Sequence, residues 1–99
     1  PMETVEVETI AVEPISADMR RALGEPEGGV LLARVESDAA YRAGLRRGDV
    51  ILMINNEAVA DVESFDRIVA SLSPGKAVAL RVMREGVTRF IAYTPPAAD

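Results

Sequence analysis

The chain has 99 residues, 48% of them hydrophobic and 27% charged, with a formal net charge of −5, which describes one soluble globular core and leaves no room for a second. It contains no His, Cys or Trp, so a Ser-His-Asp or Cys-His nucleophilic system, a His/Cys zinc site, a disulfide and a Cys-ligated iron-sulfur cluster are all excluded. The acidic balance argues against nucleic acid and anionic membranes as partners, and no apolar run approaches the roughly 20 residues of a membrane span.

The first apolar-polar alternation covers residues 4–13, with Val5, Val7, Ile10 and Val12 as the apolar members and a slip of phase at Glu8-Thr9; it predicts a strand stopped by Pro14. Ser16 caps a short helix over 17–23, ended by Gly24 and Pro26. After a Glu27-Gly28-Gly29 turn, residues 30–35 form a nearly continuous apolar strand, and Ser37-Asp38 opens a second short helix closed by Gly44. Residues 49–54 (DVILMI) read as a buried strand, followed by an Asn55-Asn56 turn and a brief extended Ala58-Val59. Asp61 is placed to cap a helix over 62–72, with Phe65, Ile68, Val69 and Leu72 on one face. Pro74-Gly75 ends it, and strands over 77–84 and 87–93 close a hairpin around Glu85-Gly86. The expectation is an α+β domain over 4–94, a small partly closed antiparallel sheet of five to six strands with one main helix and two short ones. Beginning at Pro1 rather than Met, the sequence reads as a domain excised from a longer chain, with 1–3 and 95–99 as flexible ends.

Residues 29–59, GVLLARVESDAAYRAGLRRGDVILMINNEAV, carry a short helix ending Ala43-Gly44-Leu45, then Arg47-Gly48-Asp49-Val50-Ile51 and Ile54-Asn55. This stretch resembles the bacterial PDZ domain. The flanking elements are in the permuted strand order of that type, and the region from Ile10 through the first helix to Val30 is most similar to PDZ domains of periplasmic HtrA/Do-type serine proteases, above all the second, C-terminal one. The resemblance implies a non-catalytic module without cofactor or metal, monomeric in isolation and periplasmic, which takes polypeptide C-termini or unfolded segments by strand addition beside the main helix. It implies a carboxylate loop at Thr9, Ile10, Ala11 and Val12, with the amides of Ile10, Ala11 and Val12 around the terminal carboxylate and the Ile10 and Val12 side chains under the last residue. Ser64, Ile68 and Leu72 are expected to face the groove from the helix. The family carries Gly where Ala11 stands; the change is harmless if φ at Ala11 is negative and strained if it is positive.

Other readings stand beside this one. Ile10 to Val12 would also serve as an ordinary edge strand, and the domain could be a docking module for other domains of a parent protease or for oligomer assembly, or the PDZ of another protease or secretion component. Gly44, Gly48 and Asp49 read as a helix cap and turn rather than as chemistry. Glu25/Glu27 and Glu63/Asp66 read as solvated acids, not a catalytic pair, and Arg42, Arg46 and Arg47 as a solvated face. Gly28-Gly29 lacks the Lys-Ser/Thr of a phosphate loop. Arg20 and Arg21 would add positive potential near a ligand carboxylate.

Overall fold

The computed structural model describes residues 9–23, 28–73 and 75–94. The expected strand residues 4–8, the Gly24 to Glu27 stop and turn, Pro74 and both ends fall outside the described residues. In chain order the elements are β1 (Thr9–Pro14), α1 (Ala17–Ala22), β2 (Val30–Glu36), α2 (Asp38–Ala43), β3 (Val50–Ile54), β4 (Glu57–Ala58), α3 (Val62–Ala70), β5 (Val78–Arg84) and β6 (Val87–Tyr93). The strands form one antiparallel sheet in the order β1-β2-β3-β5-β6, with β4 pairing β3 off that path.

Local chemistry sets most boundaries. The Ser16, Ser37 and Asp61 side chains accept the N–H groups of Met19, Ala40 and Ser64, so each helix begins where a short polar side chain satisfies an otherwise free donor. Gly44 closes α2 at φ 111°, in the left-handed region that a side chain resists. Asn55 and Asn56 (φ 50° and 68°) join β3 to β4, and Glu85 and Gly86 (φ 54° and 79°) join β5 to β6. Both are two-residue connections with positive φ throughout, as in the hairpin turn whose twist matches its strands. Helix α3 stops at Ala70 rather than Leu72, because the Ser71 hydroxyl donates to the Ile68 carbonyl at 2.7 Å and tightens the last turn. A register shift between Ala11 and Val12 leaves Ala33 of β2 unpaired, while Glu8, where the sequence slips in phase, lies outside the described residues.

Val30, Leu32, Leu45, Val50, Ile51, Ile54, Val59 and Val82 are almost wholly buried and form the centre of the core, with Phe65 and Ile68 of α3 packed on it. Gly29, at φ 105°, fits between layers where a Cβ would stand 2.9 Å from Val50 Cγ1, and its N–H donates to the Val59 carbonyl at 2.7 Å. That close approach pins the start of β2 against the entry to α3.

One charge lies inside this core. Asp49 is 1% exposed, and Arg84 of β5 grips it with two bonds, Nε to Oδ1 and Nη2 to Oδ2, each 2.7 Å. Nη2 also donates to the Gly44 carbonyl at 2.7 Å, and the Arg46 N–H donates to Asp49 Oδ2 at 3.0 Å. Hydrogen bonding to the Asp49 carboxylate, which accepts, holds the Arg84 pKa above its ordinary value, so the guanidinium stays charged. Replacing Arg84 by Met strands a buried carboxylate and is expected to cost about 3 to 5 kcal/mol in urea unfolding, with Arg84→Lys recovering only part because an ammonium cannot make the two-pronged contact. A loss below about 1 kcal/mol would put the pair with ordinary surface ion pairs.

Candidate functional site

Strand β1 is the edge of the sheet: it pairs with β2 and with no other described strand. An edge strand carries a row of backbone groups with no partner in the sheet, which suits it to pairing with another chain. Its apolar residues Ile10 and Val12 are half-buried against the core, while Glu13 and Pro14 are exposed. Ala11 is not among the described residues with positive φ, so the methyl group where the resemblance expects Gly brings no left-handed strain.

Ile10, Ala11 and Val12 are paired with Val35, Arg34 and Leu32. In a paired antiparallel strand, successive N–H groups point alternately toward the neighbour and away from it. Alternation turns the Ile10 and Ala11 amides in opposite directions, and the register shift that follows Ala11 interrupts the pattern before Val12.

Helix α3 lies beside β1, and its flanks can be told apart by what they touch. A recess of about 280 Å³ lies among Pro14, Ile15, Ala60, Asp61 and Val62, with Arg20, Gly29 and Glu63 completing its wall. This places the end of β1 at the beginning of α3. A second recess, about 270 Å³, joins Ile68, Ser71 and Leu72 to Ile54, Asn55 and Val78, on the side toward β3 and β5. Val62 and Val69 are seven residues apart, close to two full turns, and so share a flank; that flank is the one turned to β1. Val69 is 42% exposed, an uncovered aliphatic group.

The residues expected to face the groove from α3 are thus divided. Ser64 is 6% exposed, and its hydroxyl donates to Asp61 Oδ1 at 2.7 Å and accepts the Asp61 N–H at 3.3 Å, completing a reciprocal cap with the 2.8 Å bond from Ser64 N–H to Asp61 Oδ1. Ile68 is 3% exposed and belongs to the core. Leu72, beyond the last helical turn, is half-buried on the β3 side. The sequence reading placed Val69 in the core stripe and did not single out Val62; the signal that separates them is the seven-residue spacing at the border of the apolar face, which periodicity alone cannot orient toward a particular strand.

Backbone and side-chain hydrogen bonds from Ser64 lower the Asp61 pKa below the usual carboxylate range, with burial opposing and Arg67 assisting. No group of three or more acidic residues, His or Cys stands close enough to hold a metal ion among the described residues, and no described helix is long and apolar enough to cross a membrane.

An antiparallel sheet with an open edge strand set beside a single capped helix is the frame of a strand-adding interaction domain. The family profile described as "PDZ domain" matches residues 6–92, and the chain belongs to that family. Among curated relatives it is 36% identical over 84 residues to a probable periplasmic serine endoprotease, DegP-like, of Pseudomonas putida strain W619, and 35% identical over 82 residues to its counterpart in Marinomonas sp. strain MWYL1. These matches cover 85% and 83% of this chain and 17% of each relative, so the chain spans about a sixth of their length. Two structures of the HtrA-type protease AlgW with a decapeptide superpose with TM-scores of 0.82 and 0.75 at 28% identity, over 91% of this chain and 28% of those. A structure of the same protease with a tripeptide gives 0.76 at 30% identity, over 86% of this chain and 29% of that one. The HtrA3 PDZ domain bound to a phage-derived ligand shares the fold, with a TM-score of 0.70 at 21% identity over 91% of this chain and 83% of that one.

The cap yields a pH prediction. A carboxyl whose folded pKa is depressed contributes stability that is full above its unfolded value, about 3.9, and is lost as pH falls through the folded value. The melting temperature is expected to fall as pH drops from about 5 toward about 2.5, and Asp61→Ala to lower it at neutral pH while flattening that acid limb. An unchanged acid limb in the variant would assign the dependence to other carboxylates.

Proposed function

We propose that this domain captures the C-terminus or an extended segment of another polypeptide by adding it as a strand to the free edge of β1, in the groove between β1 and the Val62/Val69 flank of α3. The observation that carries the reading is that open edge, with an exposed aliphatic flank of a capped helix beside it. Neighbours at 28% and 30% identity that hold a decapeptide and a tripeptide support it. The ligand runs antiparallel to β1, with its carboxylate at the Thr9-Ile10 end. Pro14 at the other end has no N–H and terminates the ladder of donors. Thr9, Ile10, Ala11 and Val12 supply the backbone edge and the apolar floor. Val62 and Val69 supply the opposing wall, Ser64 and Ile68 hold that wall from behind, and Leu72 packs against the core on the β3 side.

Charge-assisted hydrogen bonds at the carboxylate contribute about 1.5 to 3 kcal/mol each before other costs, which fits a micromolar ligand. By its relatives, the parent is an HtrA/Do-type serine endoprotease of the periplasm, with its catalytic residues on another domain, and this module delivers or senses polypeptide for it.

The test is an amide-resolved NMR titration with a short peptide ending in a free apolar residue, against the C-terminally amidated peptide. Shifts along residues 9–13 and 62–69 that disappear with the amide are expected. Silence at those amides across a panel of peptides, in a folded sample, would overturn peptide capture in favour of docking to other domains of the parent. Val69→Asp, at an exposed position, is expected to weaken the free-acid peptide about tenfold with the melting temperature nearly unchanged. Unaltered affinity would move the groove wall off this flank.

A further inference from the structure

Strand β6 is the other edge of the sheet, and capture at β1 leaves it unused. It pairs with β5 over all seven of its residues without a register shift, and with no other described strand. Alternate N–H and C=O groups along Val87–Tyr93 therefore point away from β5, and no proline interrupts them. Phe90 is 76% exposed and Val87 56%, so the edge also carries bare apolar surface of the kind that pairs with another chain.

The hairpin face turned away from the core has a definite composition. Val78, Leu80 and Val82 are buried, so Ala79, Arg81 and Met83 stand on the opposite face, paired with Ala92, Phe90 and Thr88. The Arg81 guanidinium lies 5.8 Å from the centre of the Phe90 ring, and its Nη1 is 3.7 Å from Met53 Sδ. Among the described residues neither Arg81 nor Arg89 forms an ion pair, whereas Arg84 is held by Asp49. Strands β5 and β6 contain no acidic residue, although the chain as a whole carries −5.

Charge selects among occupants. A second copy pairing edge to edge about a two-fold at Phe90 would bring Arg81 and Arg89 of both copies together, a like-charge cluster that opposes association. The overall negative charge opposes a polyanion such as nucleic acid. An extended peptide with a few carboxylates meets neither objection. On an added strand, the residue opposite Phe90 lies on the ring's side of the sheet, and its immediate neighbours lie on the side of Val87 and Arg89.

We infer that β6 is a second strand-adding site, independent of the β1 groove, which takes internal acidic segments with alternating aliphatic and carboxylate side chains. The aliphatic set packs on Phe90, the carboxylate set meets Arg89, and the added backbone completes the open ladder. Arg81, held against the ring, adds positive potential beside it. No terminal carboxylate takes part.

The experiment is an amide-resolved NMR titration with an eight-residue peptide of alternating Glu and Val, acetylated and amidated so that neither end is charged, and with its Lys-for-Glu counterpart. The Glu peptide is expected to shift the amides of residues 87–93 and to leave residues 9–13 unmoved, and the Lys peptide to leave 87–93 unmoved. Phe90→Ala and Arg89→Glu, both at exposed positions, are each expected to weaken the Glu peptide about fivefold with the melting temperature nearly unchanged. Neither is expected to alter the affinity of a free-acid apolar peptide for the β1 groove. Equal shifts with the Lys peptide, shifts confined to residues 9–13, or unaltered affinity in both variants overturns the second site and leaves the β1 reading as it stands. Silence at residues 87–93 overturns it too, and Arg89 is then a charge that keeps the edge from pairing. Shifts at 87–93 that grow with protein concentration before any peptide is added overturn it in favour of self-association. Failure of free-acid peptides at residues 9–13 bears on the β1 reading alone.

Discussion

The buried carboxylate of Asp49 is the constraint around which the domain is arranged. A carboxylate at 1% exposure is tolerable only when its lone pairs are met, and here the partners come from two places. Arg84 reaches it from β5 and the Arg46 amide from the turn after α2, and the same guanidinium also donates to the Gly44 carbonyl. A single planar cation thus joins the end of α2, the start of β3 and the end of β5. Among the described residues no buried side-chain N or O lacks a hydrogen-bond partner, the condition under which a buried ion pair specifies a geometry instead of merely costing desolvation. The Gly44, Gly48 and Asp49 pattern carries the family resemblance because this junction requires it: the glycines permit the backbone path at φ 111° and 96°, and the aspartate receives the arginine.

From that junction the order propagates to the edge. Fixing the start of β3 fixes Leu32, whose N–H donates to the Asp49 carbonyl at 2.7 Å and whose carbonyl accepts the Gly48 N–H at 2.8 Å. Leu32 in turn pairs with Val12 of β1. The strand offered to a ligand is therefore tied through two residues to the buried charge. Because β1 is already ordered by β2, a ligand that adds to it bears mainly its own loss of conformational freedom, which is the physical advantage of a preformed edge.

What was legible in the sequence is what short-range chemistry controls. Ser16, Ser37 and Asp61 announce helix starts, Gly44 announces an end, and Asn55-Asn56 and Glu85-Gly86 announce reversals, because each acts within about four residues of itself. The family resemblance supplied the order of the strands. Less legible was anything that depends on which flank of an element meets which neighbour. Arg84 gave no sign of its partner, 35 residues away. Ser64 looked like a polar residue available to a ligand, yet its spacing of three from Asp61 is also the spacing of a reciprocal cap, and the cap took it. Ile68 and Val69 are neighbours in sequence and 100° apart around the helix. One is core and the other surface, and only the position of β1 decides between them.

The cap at Asp61 brings stability and the placement of α3 into one place. Its carboxylate satisfies the Ser64 N–H and hydroxyl, which fixes where α3 begins and hence where Val62 stands relative to Pro14 and Ile15. Val69 follows two turns later without further adjustment, since a helix is rigid over so short a span. The spacing between the β1 edge and the wall opposite it is therefore governed at one end of the helix, by a side chain that also contributes its charge to the recess there. At the other end the Ser71 hydroxyl tightens the last turn and stops the helix, so the position of Val62 is set by the Asp61 cap and not by the Ser71 end.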